Sequence, residues 1–548
     1  MSAMGHEPSP TLTPGSRSVR FGRLVVALSA AHIAAAAVSN AAPLDLRPLV
    51  ALCLIAILSM IAATFRMSRL TMIAGLVVGT ILSLTVIFWW RRMLDPMAVL
   101  GPIPRSMELV AIGVFGIISI VLATIVTITF SDGSGMFRFR WIVFGATGMA
   151  LVGFSVALFL WSQKANSPQA LLQNIVMLEQ VPQRSSWEEQ QLATALSVLG
   201  RQHEARVIPC RPDAVGQQLA KAPDEAEPDS TFKATPWREV IARVALQQRL
   251  VVIMENHTIS EHRAWIEQTL PLFREAGFNH YFAETIAEPG SSLKSRGYPT
   301  WKTGAYTIDP RFGNLVRTAI HLDFEIGGYD LLSSDFNARE SYQAATLAAK
   351  FAAHPNCKMV VHCGHAHVMK YEDRVAGQYM AAKLWKATGI EPFTIWQLSN
   401  ELPNDVYGPL IRQLGPIKEP VMLAPAPTDL TEKLLPTSSV QPAVDAVVIH
   451  PPEIGQEPTN RGGAFAEEMV RISGEWLGRQ WPVTISAMAT GEPDNAVPLD
   501  QVMLRSGESN FELWVPHNKY TLRVWGLNGP LRIDADTTSS QVRVDLRP

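Results

Sequence analysis

The sequence predicts a multi-domain chain: an α-helical transmembrane bundle, an α/β domain with a mostly parallel sheet, and a C-terminal all-β sandwich-like domain. Three observations carry this. Between Leu24 and Trp161 long apolar runs are interrupted by only four acidic residues. From Trp237 to Trp396 helical and strand patterns alternate, as parallel strands joined by crossover helices require. After residue 442 short alternating runs recur at the spacing of a small β-sandwich. At 548 residues the chain is too long for one domain.

Residues 1–23 are polar and read as a disordered tail. Residues 24–161 read as a transmembrane region with four or five helices. Leu24 to Ala42 is Ala-rich and reads either as a span or as the apolar core of a signal peptide. Leu49–Phe65, Leu70–Trp90, Met107–Phe130 and Trp141–Trp161 each approach the roughly 20 residues that cross a hydrocarbon core. Arg17, Arg20, Arg23, Arg66, Arg69, Arg138 and Arg140 fall on one side of these spans, against Arg47, Arg91, Arg92 and Arg105 on the other. The excess of arginine places the N-terminus inside and everything after Trp161 outside. The expectation is an integral protein of the bacterial inner membrane, with the lipid bilayer as a partner and the soluble domains in the periplasm.

Residues 1–161 hold eleven arginines and five acids, so the remainder is net acidic in a chain whose overall charge is −2. An acidic soluble part offers no electrostatic footprint for nucleic acid. The four cysteines have neither C-x-x-C nor zinc-finger spacing, and no disulfide framework is implied.

Residues 162–235 read as juxtamembrane helices and a loop. The α/β domain covers 236–415. Its predicted elements are a helix over Trp237–Gln248, a strand over Leu250–Met254, a helix over His262–Ala276 and a strand over Tyr281–Ala283. Then come helix Asn314–His321, strand Asp323–Ile326, helix Ala338–Ala353, strand Lys358–His362, helix Met380–Thr388 and strand Phe393–Trp396. The loop from Glu288 to Phe312 is long for a compact domain, which points to a cover over a site. Residues 416–442, rich in Pro and Thr, read as a linker. Residues 443–548, beginning with the run AVVIH, form the sandwich-like domain.

Ligands of α/β domains bind just beyond the carboxyl ends of parallel strands. That rule places Glu255, His257 and Glu284 at one mouth, with His262 opening the next helix. Carboxylate and imidazole at this density share a metal or form a general base with its orienting partner. The run VVHCGHAHV adds His362, His365 and His367 around Gly364, which permits a sharp turn or close approach. Cys363 reads as a small buried hydrophobe. Arg339 sits at a helix N-terminus, where the macrodipole disfavours a cation, and so points to an acidic partner or ligand.

The order of Glu255, His257, His262, Glu284, Arg339, Gly364 and His367 resembles the superfamily of erythromycin esterases, ChaN-like haem-binding lipoproteins and Tiki/TraB proteins. The similarity covers about residues 237–400, with Met254 and Thr258 where members usually carry Gly and often Asp. It implies hydrolysis of an ester or amide bond in a small-molecule or peptide substrate. Glu255, His257 and Arg339 would be catalytic, and His262, Glu284, His365 and His367 would hold a divalent metal; haem is the cofactor that the ChaN-like branch implies. Gly364 to His367 also resembles the Gly-His-x-His of calcineurin-like metallophosphoesterases, which is the competing reading. A non-enzymatic haem-binding or metal-binding membrane protein is the third.

Overall fold

A computed structural model of the chain describes residues 167–208, 233–330 and, with short gaps, 335–547. The expected tail and spans of residues 1–161 lie outside the described residues. The expectation of a transmembrane bundle is corrected: among the described residues no helix is long and apolar enough to cross a membrane. The longest described helix, Phe336–Ala353, has 18 residues and carries Arg339, Glu340 and Lys350. What the structure shows is an α/β domain on a mixed sheet and a β-sheet domain. The membrane, inner-membrane and periplasmic assignments find no support in it.

The α/β sheet has eight strands: β1 (Lys233–Pro236), β2 (Leu250–Glu255), β3 (His280–Ala283), β4 (Glu325–Gly327), β5 (Met359–Gly364), β6 (Phe393–Ser399), β7 (Val421–Ala424) and β8 (Ala446–His450). Their spatial order is β1-β7-β8-β6-β2-β5-β3-β4. From β8 to β4 all neighbours are parallel. At the other edge β7 runs antiparallel to both β8 and β1. Pro236, which donates no ladder hydrogen bond, lies at the end of the edge strand β1.

The helices are α1 (Pro168–Glu179), α2 (Ser186–Val198), α3 (Gln202–Val207), α4 (Trp237–Gln247), α5 (Ser260–Glu275), α6 (Gly290–Arg296), α7 (Pro310–His321), α8 (Phe336–Ala353) and α9 (Met380–Thr388). Alternation along β2 decides which helices cover which face. Val251 and Ile253 pack with Val240 of α4, Ile266 of α5 and Leu315 of α7. Leu250, Val252 and Met254 pack with Leu347 of α8 and Leu384 of α9. The result is a sheet between two helical layers. A buried large apolar side chain contributes roughly 1.5–3 kcal/mol, so these two faces outweigh surface ion pairs, worth about 0–1 kcal/mol each.

Two segments differ from expectation. The loop after Glu288 contains α6 and a 3-10 turn, Tyr306–Ile308. The linker of residues 416–442 contributes β7, and AVVIH is β8, paired in register with β6. Both are short apolar runs flanked by proline, too brief to show a period. The expected parallel sheet is therefore mixed.

The β domain comprises β9 (Glu468–Ser473), β10 (Val483–Ala489), β11 (Asp500–Leu504), β12 (Asn510–Val515), β13 (Tyr520–Gly526), β14 (Gly529–Asp536) and β15 (Gln541–Arg547). They form one sheet in the order β11-β10-β13-β14-β15-β9-β12, in place of the two packed sheets of a sandwich. Its end strands approach each other where the Trp514 amide donates to Asp500 (2.8 Å), so the sheet curls on itself. Helices α1 to α3 pack on this domain through Leu172, Leu196, Met503 and Trp525. The domain in turn docks on α7, where Arg317 Nε donates to Glu492 (3.0 Å) and Asn314 Nδ2 to the Leu499 carbonyl (2.9 Å).

Candidate active site

Strand register assembles the site. Glu255 ends β2 directly beside Gly364, the last residue of β5, and the Glu284 amide donates to the His362 carbonyl (3.0 Å). By alternation, Tyr281 and His362 reach the α5 and α7 side, where Phe312 stacks on His362 with ring centroids 4.9 Å apart. Cys363 points the other way, its Sγ 3.7 Å from the Ile253 carbonyl. Burial pushes that thiol well above its ordinary pKa, so it is no nucleophile.

Glu255 is only 1% exposed and is flanked by four side-chain nitrogens. Arg263 Nε and Nη2 donate to Oε2 (2.7 Å) and Oε1 (3.0 Å). His257 Nδ1 lies 2.8 Å from Oε1, and His362 Nε2 lies 3.0 Å from Oε2. Burial works to raise the carboxyl pKa, but Arg263, His362 and His257 outweigh it and hold it well below the usual carboxylate range. Arg263 itself is fully buried and also pairs with Asp309, the N-cap of α7.

His257 is fixed on two sides. Tyr306 stacks on its ring at 3.9 Å and 10°. Gly364 lies beneath its Nε2, where a β-carbon would approach to 2.5 Å.

A second ionic group adjoins the first. Glu284 accepts from the Gly364 amide (2.6 Å) and from Arg339 Nη2. Arg339 is pinned from the other side by Asp330, through Nε (2.9 Å) and Nη2 (2.7 Å). His367 Nε2 is 3.6 Å from Glu284, and its Nδ1 is 2.5 Å from Glu340. Burial opposes a charge on His367, yet the two glutamates prevail and push its pKa up to about 10. Burial likewise opposes the Glu284 charge, and His367, Arg339 and His257 hold its pKa well below the usual range.

The structure thus brings Glu255, His257, Glu284, Arg339 and His367 together and leaves His262 apart. His262 Nδ1 accepts from the Asn256 amide (3.0 Å) and its ring stacks on His450 at 4.9 Å. Burial and the His450 charge drive its pKa well below the ordinary value. It is a buried structural imidazole. His365 opens the 3-10 turn His365–Val368 after β5, and its side chain lies outside the described residues.

Among the described residues no three or more His, Cys, Asp or Glu side chains converge to hold a metal. His367 is paired with Glu284 and Glu340, and the His262 Nδ1 lone pair is taken by a backbone amide. Among the described residues, which leave out the His365 side chain, the donors do not fit a divalent ion. Glu255, His257, Glu284, Thr285, Phe312, His362, Cys363 and Gly364 line a shallow hollow that opens to solvent. Thr285 Oγ1 is buried there with no hydrogen-bond partner among the described residues.

Sequence reasoning misses Arg263, Tyr281, Tyr306, Asp330 and Glu340. One signal was available: Arg263, like Arg339, is a cation in the first turn of a helix, where the dipole disfavours it. In both cases a buried carboxylate is the reason.

No protein-family profile and no curated protein sequence matches the chain. Three solved structures show weak similarity. The type III effector HopBA1 aligns at 12% identity and a TM-score of 0.26, over 41% of this chain and 100% of its own. RRSP, a MARTX toxin effector domain from Vibrio vulnificus CMCP6, aligns at 13% and 0.23, over 40% of this chain and 54% of its own. The C-terminal region of Pasteurella multocida toxin, described with a thiol-protease-like catalytic triad, aligns at 9% and 0.23, over 66% of this chain and 54% of its own. All three are toxin or effector proteins rather than erythromycin esterases, and scores this low define neither a family nor an activity.

Proposed function

We propose that the chain is a hydrolase that cleaves an ester or amide bond of a small-molecule or peptide substrate with water as the nucleophile. The observation that supports this reading best is the 2.8 Å contact of His257 Nδ1 with Glu255, a carboxylate kept ionised at a sheet mouth. Such a carboxylate holds the imidazole with its hydrogen on Nδ1 and its lone pair on Nε2, the arrangement a general base needs. His257 Nε2 takes a proton from water at the mouth of the hollow. The resulting hydroxide adds to the substrate carbonyl carbon, the C–O or C–N bond breaks, and the imidazolium returns its proton to the departing alcohol or amine. The buried Thr285 hydroxyl offers that water a hydrogen-bond partner, and Arg339 with its carboxylates holds Glu284 on the Gly364 amide. The resemblance to the erythromycin esterase, ChaN-like and Tiki/TraB superfamily belongs to the same proposal.

The test is turnover of chromogenic esters and peptide anilides by the purified full chain in ¹⁸O-labelled water. Label in the acid product, lost together with activity in His257→Gln, is the expected outcome. No turnover of any substrate, or turnover equal in His257→Gln, overturns the reading.

A further inference from the structure

Residues 299–312 carry three side chains of the site, yet they are held from outside the α/β domain. Tyr306 stacks on His257, Asp309 pairs with Arg263 and Phe312 stacks on His362. Before α7 the segment holds one short regular element, the 3-10 turn Tyr306–Ile308, which has too few hydrogen bonds of its own to fix its place. Three residues per turn send side chains two apart to different faces. Tyr306 packs into the core of the α/β domain, whereas Ile308 joins Trp301 among Leu172 of α1, Leu196 of α2, and Val497, Met503 and Trp525 of the β domain. The two tryptophan rings meet edge to face, with centroids 5.7 Å apart. Main-chain bonds hold the same contact: the Trp301 amide donates to the Asn495 carbonyl (3.1 Å) and the Val497 amide to the Pro299 carbonyl (3.0 Å). Helix α2 reaches the segment as well, since Ser260 hydrogen-bonds to Asp309 and its Oγ lies 3.1 Å from Ser197 Oγ. On the other side Gly304 presses on Thr285, where a β-carbon would meet the carbonyl oxygen at 1.7 Å.

We infer that the β domain and α1 to α3 complete the active site, and that Trp525, acting through Trp301 and Ile308, is a positioning residue that holds Tyr306 flat on His257. Trp301, Ile308 and Trp525 are all buried. Interiors are close-packed and transmit displacement, so a void at Trp525 lets Trp301 and Ile308 settle toward the β domain and draws the 3-10 turn with them. Stacking at 3.9 Å and 10° needs both the ring separation and the tilt to be kept. A shift too small to unfold anything is therefore enough to part the two rings. The kinetic arm of the test rests on His257 being the base of the hydrolytic reading; the spectroscopic arm does not.

The experiment is NMR of the full chain carrying ¹³C-labelled histidine, with the His257 ring signals assigned from His257→Gln. In the wild type the face of Tyr306 shifts the His257 ring protons upfield, and Tyr306→Ala gives their position without stacking. Trp525→Ala is expected to move the signals toward that position, and Trp525→Phe, which keeps an aromatic edge, to hold them near wild type. Ile308→Ala, a smaller void in the same cluster, moves them in the same direction and serves if Trp525→Ala does not fold. In step with this, kcat in Trp525→Ala falls roughly two- to tenfold, as for loss of the stacking itself, while KM stays unchanged. The double variant of Trp525→Ala with Tyr306→Ala is no slower than Tyr306→Ala alone, because residues that act through one contact do not add. His257 signals unmoved in the folded variants overturn the inference, and so do losses that multiply in the double variant. If the full chain hydrolyses nothing, the hydrolytic reading fails, and the ring signals decide the positioning role by themselves.

Discussion

A β-carbon on residue 364 would sit 2.5 Å from His257 Nε2 and 3.3 Å from Glu284 Oε2. Glycine is required there for the space it leaves, since its φ is not in the left-handed region. Gly364→Ala is expected to push the imidazole out of line while the sheet, paired along all of β2 and β5, stays intact. Displacement by about an ångström costs on the order of 100-fold in turnover. Steady-state kinetics on a variant with wild-type circular dichroism checks this, and full activity would refute it.

Arg263 is the cation on which two buried carboxylates depend, Glu255 and Asp309. Its removal strands both charges, and breaking such a buried pair costs roughly 3–5 kcal/mol. Arg263→Met is expected to lower the urea midpoint accordingly. Arg263→Lys should rescue only part of the loss, since an ammonium lacks the planar fork that reaches both oxygens of Glu255. Equal stability of Lys and Arg at this position would contradict the geometry.

His367 makes stability fall at alkaline pH. Its folded pKa of about 10 exceeds the roughly 6.5 of an unfolded histidine. The folded state therefore binds the extra proton between these values. The contribution is whole below about pH 6.5 and is lost as pH rises through about 10. Glu255 and Glu284, whose folded pKa values are depressed, act at the other end: theirs is present above the ordinary glutamate range and is lost as pH falls through the depressed values. Urea midpoints across pH 5 to 10.5 should show the alkaline decline in wild type and a flatter curve in His367→Gln.

Tyr306 acts on His257 through its ring. Stacking of this kind contributes about 0.5–1.5 kcal/mol. Tyr306→Phe should keep turnover, and Tyr306→Ala should lower kcat by roughly two- to tenfold. A loss as large in Phe as in Ala would assign the role to the hydroxyl instead.

How much of this is legible in the sequence differs by residue. Glu255, His257 and Glu284 are legible because a strand end in a parallel sheet is a place for a site whatever the loops do. Arg339 is legible through its conflict with the helix dipole, and the structure supplies the acidic partners, Asp330 and Glu284. His262 misleads because spacing along the chain does not say which way a ring turns: one turn into α5 it faces His450, away from Glu284. Arg263 follows Glu261 by two residues, yet Glu261 pairs with Arg206 while Arg263 pairs with the buried Glu255. Strand β7 escapes because four apolar residues between prolines carry no period, and AVVIH, expected in the sandwich-like domain, instead joins the α/β sheet as β8 through its pairing with β6 and β7.

The most direct test of the central claim is kcat for His257→Gln in the full chain, with and without added imidazole. The side chain is partly exposed, at 14%, so the variant should fold. If His257 is the base oriented by Glu255, kcat falls roughly 100- to 10,000-fold, the range for loss of a catalytic base, KM is nearly unchanged, and imidazole restores part of the rate. A kcat within about twofold of wild type, with no response to imidazole, would contradict the account.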